Sequence, residues 1–296
     1  MLTSYLKLSL RLLARNPFFT AINVAGLSIG FAVFFILWQS SQSELKSDQQ
    51  WKDWERICRF GMTAKWTDDK VNWEESRFGT NDAAFTSQVA NQNSEIGSFT
   101  RLLVQNNFMS SGGSFNSYLK DHGNEIFFTA ELGNRKNSFI ETKIAYGDPN
   151  LFSFFNIPLV EGNADNILSL AGSVVLSEKT SRKYFGTVHS IGKTLLLNDK
   201  IVLRVTGVFK NLPRDTHLNF EAVMSSEGLK NQYSEINQPW WAPTCYFKLK
   251  ESPDAEGLAF RINRDLKPQI TNGAFGNWVY GDGEIYLQPL SEMPFQ

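Results

Sequence analysis

Few residues in this sequence stand at spacings that catalysis or metal binding requires. Gly26-Leu27-Ser28-Ile29-Gly30 has the G-x-S-x-G form of a serine nucleophile elbow, which needs a strand, a sharp turn and a helix to expose its hydroxyl. These glycines lie inside a long uncharged apolar run, where no such turn is expected. Gly186 to Thr194 (GTVHSIGKT) resembles a phosphate-binding loop, but five residues separate its glycines instead of four. It also leads from the helix-like SEKTSRKYF into the strand-like LLLN, the reverse of the strand-to-helix order that a phosphate cradle uses. Ser-x-x-Lys occurs at Ser4/Lys7, Ser43/Lys46 and Ser117/Lys120 without the companion motifs of a serine acyl-transferase. His122, His189 and His217 are far apart and form no pair at metal-ligand spacing, so each is expected to be solvated or hydrogen-bonded near a turn. Acidic pairs such as Asp68-Asp69 and Glu74-Glu75 sit among polar residues and read as solvated faces. Two cysteines, Cys58 and Cys245, are too few for a disulfide scaffold or a four-cysteine zinc site. The expectation is a chain that is not an enzyme and has no cofactor or metal.

The distribution of charge is more informative. The totals nearly cancel, 29 Lys+Arg against 30 Asp+Glu, so no basic field draws the chain to nucleic acid. No charged residue occurs between Arg15 and Glu44, however, and the 21 residues from Phe18 to Trp38 are apolar or small. As a helix they would rise roughly 32 Å, enough for a hydrocarbon core of about 30 Å. Lys7, Arg11 and Arg15 precede the run with no acidic residue among them, which orients the N-terminus to the cytoplasm and exports everything after Ser43. A cleaved signal peptide is the competing reading, but its apolar region is shorter and ends in small residues, whereas this one ends in FFILWQSSQSE. A buried helix of a soluble protein is disfavoured by the length of the run.

Residues 1–16 carry their own pattern. Lys7, Arg11 and Arg15 recur every four positions opposite Leu2, Leu6, Leu10 and Leu13, an amphipathic basic helix suited to the cytoplasmic interface. Pro17 then breaks the chain before the span, taken as residues 17–40. Within it, Ala21, Ala25, Gly26 and Gly30 give small-xxx-small spacings at which a second helix could pack.

The exported part reads as α+β. ICRF from Ile57 is strand-like, Asn81–Ala90 is helical, and Trp51 and Trp54 suit either the membrane interface or a core. Phe99–Leu103 returns as a strand, and residues 106–124 are a Gly/Ser/Asn-rich loop. IFFTAEL and FIETKIAYG read as paired strands around Gly133-Asn134, and Asp148-Pro149 opens a turn. Ser173–Leu176 is a strand, Ser177 caps a helix through Phe185, and Gly186 stops it. Leu195–Leu197 and Ile201–Phe209 form a hairpin, followed by strands at Asn219–Met224, Cys245–Leu249 and Glu284–Leu290 and a helix over Asp254–Leu266.

The opening YLKLSLRLLARNPFFTAINVAGLSIGFA, followed by SELKSD and WERICRF, resembles the start of the MacB-like, FtsX-like permeases of ABC transporters, in the form common in Bacteroidetes. A second set of blocks resembles that family's periplasmic core domain in order and spacing: YGDPNLFSFFNIPLVEGN, SVVLSEKTSRKYFG, IGKTLLLND, VTGVFKNLPRDTHLNF and YFKLK. The resemblance implies a two-subdomain extracytoplasmic region: a membrane-proximal part with βαβ-like units from residues 48–115 and 215–290, and an inserted β-rich part from 116–214. It implies a cytoplasmic ABC ATPase and the remainder of the permease, or a second permease copy, as partners alongside the lipid bilayer, with Lys7, Arg11 and Arg15 at the cytoplasmic coupling end. It also places Cys58 and Cys245 in one subdomain, leaving both a bridge and two buried thiols open. The family permease continues through three further spans where this sequence stops at SEMPFQ, so a single-span fragment or truncated form is expected. Cys58 stands where many relatives carry an aromatic residue. A membrane-anchored sensor or ligand-binding ectodomain has the same architecture and is the alternative.

Overall fold

The computed structural model describes residues 15–45, 48–64, 67–68, 71–72, 76–79, 83–104, 126–133, 135–213, 216–227, 243–251, 254–271 and 284–293. The chain divides into two units, Met1–Ser47 and Asp48–Gln296. The described part of the first unit is essentially one helix, α1 (Pro17–Leu45). Pro17 occupies its first turn, where a missing N–H is harmless.

The second unit is built on a mixed 13-stranded sheet among the described residues. Its strands in chain order begin with β1 (Ile57–Ala64), then the small separate pair β2 (Thr67–Asp68) and β3 (Val71–Asn72), then β4 (Ser76–Gly79) and β5 (Ile96–Val104). Next come β6 (Phe127–Leu132), β7 (Arg135–Ile140), β8 (Ile144–Gly147), β9 (Leu159–Glu161) and β10 (Ser173–Ser177). The last are β11 (Thr194–Leu197), β12 (Ile201–Phe209), β13 (Ala222–Ser225), β14 (Thr244–Leu249) and β15 (Glu284–Pro289). Across the sheet the order is β15-β1-β14-β5-β8-β13-β10-β12-β11-β6-β7, with β4 against β1 and β9 against β12.

Composition follows position in that order. The central strands β8 (IAYG), β10 (SVVLS) and β13 (AVMS) are buried at every residue, the continuous runs of strands covered on both faces. Two of their ladders, β8 with β13 and β10 with β12, are parallel. At the end of the order, β7 (RKNSFI) is mostly exposed and begins with Arg135 and Lys136, charges that discourage further strand addition.

Among the described residues, four α-helices accompany the sheet: α2 (Ala83–Gln92), α3 (Leu151–Phe155), α4 (Glu178–Phe185) and α5 (Ala255–Thr271). Tyr184 of α4 is buried with Phe128, Val174, Leu195 and Leu203 in one core. Leu258, Ile262 and Leu266 of α5 and Val89 of α2 close a second over β1, β14 and β15. Phe152 and Phe155 of α3 fill a third with Leu102, Val175 and Val223. Gly207 permits the close approach of Ile167 there, since a Cβ at that position would lie 2.1 Å from Ile167 Cδ1.

The α4 expectation holds in detail. Ser177 accepts from the Thr180 N–H, and Gly186 ends the helix at φ 70°, the left-handed conformation that glycine adopts without strain. The hairpin β11–β12 forms around Asn198 and Asp199. FIETKIAYG does not stay one strand: β7 ends at Ile140, and β8 leaves the hairpin to pair with β5 and β13. Trp51 lies in the core. The expected loop over 106–124 lies outside the described residues.

Candidate functional site

The apolar helix α1 is 29 residues long, about 43 Å at 1.5 Å per residue. Its stretch Pro17–Gln39 is long and apolar enough to cross a membrane. The stretch has no polar face: Phe18, Ile22, Leu27, Ile29, Phe34, Ile36 and Leu37 all project outward, the pattern of a helix meant for an apolar surrounding on every side. Of the residues expected to act here, Lys7 and Arg11 lie outside the described residues, and Arg15 is exposed just ahead of α1. Ala21, Ala25, Gly26 and Gly30 are exposed along the helix, and a Cβ at either glycine would meet nothing within 4 Å. Five residues turn a helix through about 140° net, so Ala21/Ala25 and Gly26/Gly30 form two separate small-residue strips rather than one groove.

The second unit begins with a carboxylate that the sequence did not single out. Asp48 is fully buried and holds a left-handed backbone at φ 62°, a conformation costly for most residues and tolerated by Asp. Its Oδ1 accepts from Trp51 Nε1 at 3.0 Å, from the Thr216 hydroxyl and from the His217 N–H at 3.2 Å. Its Oδ2 lies 2.8 Å from His217 Nδ1. Neither ring nitrogen makes a hydrogen bond of good geometry, so the imidazole lies against the carboxylate as a close contact. Burial pushes the Asp48 carboxyl up, but His217, Thr216 and Trp51 together outweigh it and hold the group below its ordinary value. Around the cluster, Phe155 meets the rings of Trp51, His217 and Tyr246 edge to face. His217, expected to be an ordinary turn residue, is instead the neighbour of a buried acid 169 positions away. No local pattern could have linked the two.

A largely buried ion pair joins β5 to the turn after β8. Arg101 grips Asp148 through Nε at 2.8 Å and Nη2 at 2.9 Å, and the Arg101 backbone N–H and Ser226 hydroxyl donate to the same carboxylate. The bonds satisfy both charges inside the protein. Cys58 and Cys245 are both buried and are not joined by a disulfide. Register places Cys58 opposite Phe247 and Cys245 opposite Phe60, a diagonal relation that is wider than a bridge spans. Burial pushes the Cys58 thiol up to about 12. Among the described residues, no three His, Cys, Asp or Glu side chains gather to hold a metal. A cleft lined by Tyr146, Ser173, Leu203 and Met224 has room for about one water molecule.

These features describe a domain centred on a mixed sheet that follows a membrane-length helix in the chain. The sequence profile of the MacB-like periplasmic core domain matches residues 20–265. The chain belongs to that family. The MacB-like chain is similar in fold to a domain of a protein assigned as a permease from Porphyromonas gingivalis, at TM-score 0.59 and 15% identity over 83% of this chain and 94% of that one. It also matches the periplasmic region of MacB from Actinobacillus actinomycetemcomitans, at TM-score 0.42 and 14% identity over 77% of this chain and 87% of that one. A third match is the extracellular domain of the noncanonic ABC-type transporter YknZ from Gram-positive bacteria, at TM-score 0.42 and 12% identity over 77% and 98% of the two chains. No curated protein matches the sequence.

Proposed function

We propose that this MacB-like chain is the N-terminal part of an ABC-transporter permease, with α1 crossing the inner membrane, residues 1–16 in the cytoplasm and the second unit in the periplasm. In this reading the basic helix bearing Lys7, Arg11 and Arg15 touches the cytoplasmic ABC ATPase. Ala21, Ala25, Gly26 and Gly30 receive helices of the remaining permease or of a second permease copy. The exported domain carries ATP-driven movement outward for export or mechanical work, without a reaction of its own. The observation that carries the reading is the family match across residues 20–265, which takes in most of α1 as well as the domain. The charge order of Lys7, Arg11 and Arg15 ahead of an uncharged helix supports the orientation.

A division into a membrane-proximal part (48–115 with 215–290) and an inserted part (116–214) belongs to the same proposal. It is supported by the strand order in that β1, β5, β14 and β15 are neighbours and β6 to β12 lie beyond β5, while β13, from the 215–290 segment, crosses over to lie between β8 and β10.

The test is co-purification from cells expressing the complete permease and its ATPase. Reversing Lys7 and Arg11 to Glu is expected to lower ATPase recovery several-fold while the domain stays protease-resistant. A cysteine introduced at Leu170, which is 71% exposed, should label with an impermeant maleimide in cells with a permeabilised outer membrane, in the parent and in the charge-reversed variant alike. Full ATPase recovery with correct labelling would reject the coupling role.

A further inference from the structure

The buried Asp48 cluster has a position in the chain that gives it more than a packing role. Only Lys46 and Ser47 stand between Asp48 and the last residue of α1, Leu45. The chain then runs through Trp51 into β1, which lies between β14 and β15. By connectivity alone, a displacement at the C-terminal end of α1 would enter the sheet at β1, four places from β13 in the strand order.

Asp48 opens a shorter route. Its carboxylate is bonded to the Thr216 hydroxyl and the His217 N–H, and the chain from His217 to β13 is held at almost every step. The Leu218 N–H donates to Thr216 Oγ1, Leu218 and Phe220 are buried, and the Glu221 N–H donates to the Lys143 carbonyl just before β8. The Glu221 carbonyl accepts from the Ser177 N–H at the end of β10. β13 itself is paired with β8 on one side and β10 on the other. Close-packed interiors transmit such displacements instead of absorbing them.

We propose that the Asp48 carboxylate is a clasp that passes displacement of the C-terminal end of α1 directly to the central strand β13, bypassing β1. The clasp rests on the reading above, that α1 crosses a bilayer and moves the exported domain. Asp48 is a positioning residue: it binds no ligand, and its work is to make Thr216 and His217 follow the root of the domain. Trp51 steadies it from the other side, donating to both Asp48 Oδ1 and Thr216 Oγ1.

The test uses the full chain in nanodiscs of short-chain and long-chain phosphatidylcholine, because hydrophobic mismatch shifts and tilts a single span. Amide hydrogen exchange is followed at residues 49–56, at 216–225 and at β10. In the parent protein, exchange at both 49–56 and 216–225 is expected to differ threefold or more between the two bilayers. In Asp48→Ala the difference should persist at 49–56 and vanish at 216–225, with exchange at 217–218 raised about tenfold by loss of bonds to a charged group. Unchanged protection at β10 certifies that the variant is folded, and Asp48→Asn serves in its place otherwise. A bilayer-dependent difference at 216–225 that survives both substitutions overturns the clasp, as does a parent protein that responds at 49–56 alone. A parent protein with no response even at 49–56 overturns the membrane-coupled reading and the clasp with it.

Discussion

The two flanks of the sheet are assembled from opposite kinds of contact. In the flank β15-β1-β14, residues 57–60 pair with 245–248 and residues 58–63 with 284–289, so both of these ladders close very long loops, and β1 has a local partner only in the short β4. In the flank β12-β11-β6-β7, two hairpins join neighbours in sequence and β10 reaches its parallel partner β12 through α4 and β11, so that the long-range ladder along this path is the short one between β11 and β6, Leu196 with Thr129 and Leu197 with Phe128. Long closures form late and hold only when the whole domain is assembled. The difference teaches that the second flank is close to a self-specified unit, whereas the first depends on contacts that no short stretch of chain encodes.

The strongest way to break this comparison is at the seam where β5 meets β8. Asp148→Ala removes the acceptor of four bonds and leaves the mostly buried Arg101 guanidinium without its carboxylate, at a cost of about 3 kcal/mol. Urea unfolding should register the loss. Hydrogen exchange should rise first in β1, β14 and β15, and a rise led by β6 and β7 would contradict the proposed asymmetry.

A smaller effect is expected at Asp48, where the first flank's entry is tied to the segment leading to β13. The carboxyl is held below its ordinary value of 3.8, so its charge stabilises the folded state above that value, and the contribution disappears as pH falls through the lowered one. Asp48→Asn should therefore cost about 2 kcal/mol near neutral pH, as bonds to a charged group do. The gap from the parent protein should narrow below pH 4. A gap that stays constant to pH 2 would mean that shape and not charge holds the cluster.

The smallest effect sharpens the view of the self-specified flank. Ser177 caps α4 through the Thr180 N–H, and Ser177→Ala should cost about 1 kcal/mol. Thermal unfolding checks the total, and exchange should rise mainly in residues 178–185. A loss spread evenly over β1 and β14 would show that the flanks unfold together.

The elements legible from sequence share a property: their signals and partners lie within a few residues. Ser177 and Gly186 mark the two ends of α4, and the polar Asn198-Asp199-Lys200 marks the turn of β11–β12. The five-residue α3 (LFSFF) escaped because it is too short to show a helical period, and its helix is held by Phe152 and Phe155 packing under the sheet. FIETKIAYG read as one strand because both its halves are apolar enough. Only the demand of β5 and β13 for a partner divides it.

Sequence by itself determined α1, because an uncharged apolar run satisfies its own backbone bonds and needs no distant partner to be a helix. It likewise determined the α+β class and the capped helix and hairpins beyond. Only the tertiary structure decided that Asp48 and His217 meet, that Arg101 and Asp148 join β5 to β8, and that Cys58 and Cys245 lie diagonal and unbridged. The reason is physical: pairing of buried polar groups and strand register depend on which segments the folded chain brings together, 47 residues apart for Arg101 and Asp148 and 169 for Asp48 and His217, and local side-chain patterns carry no record of that distance.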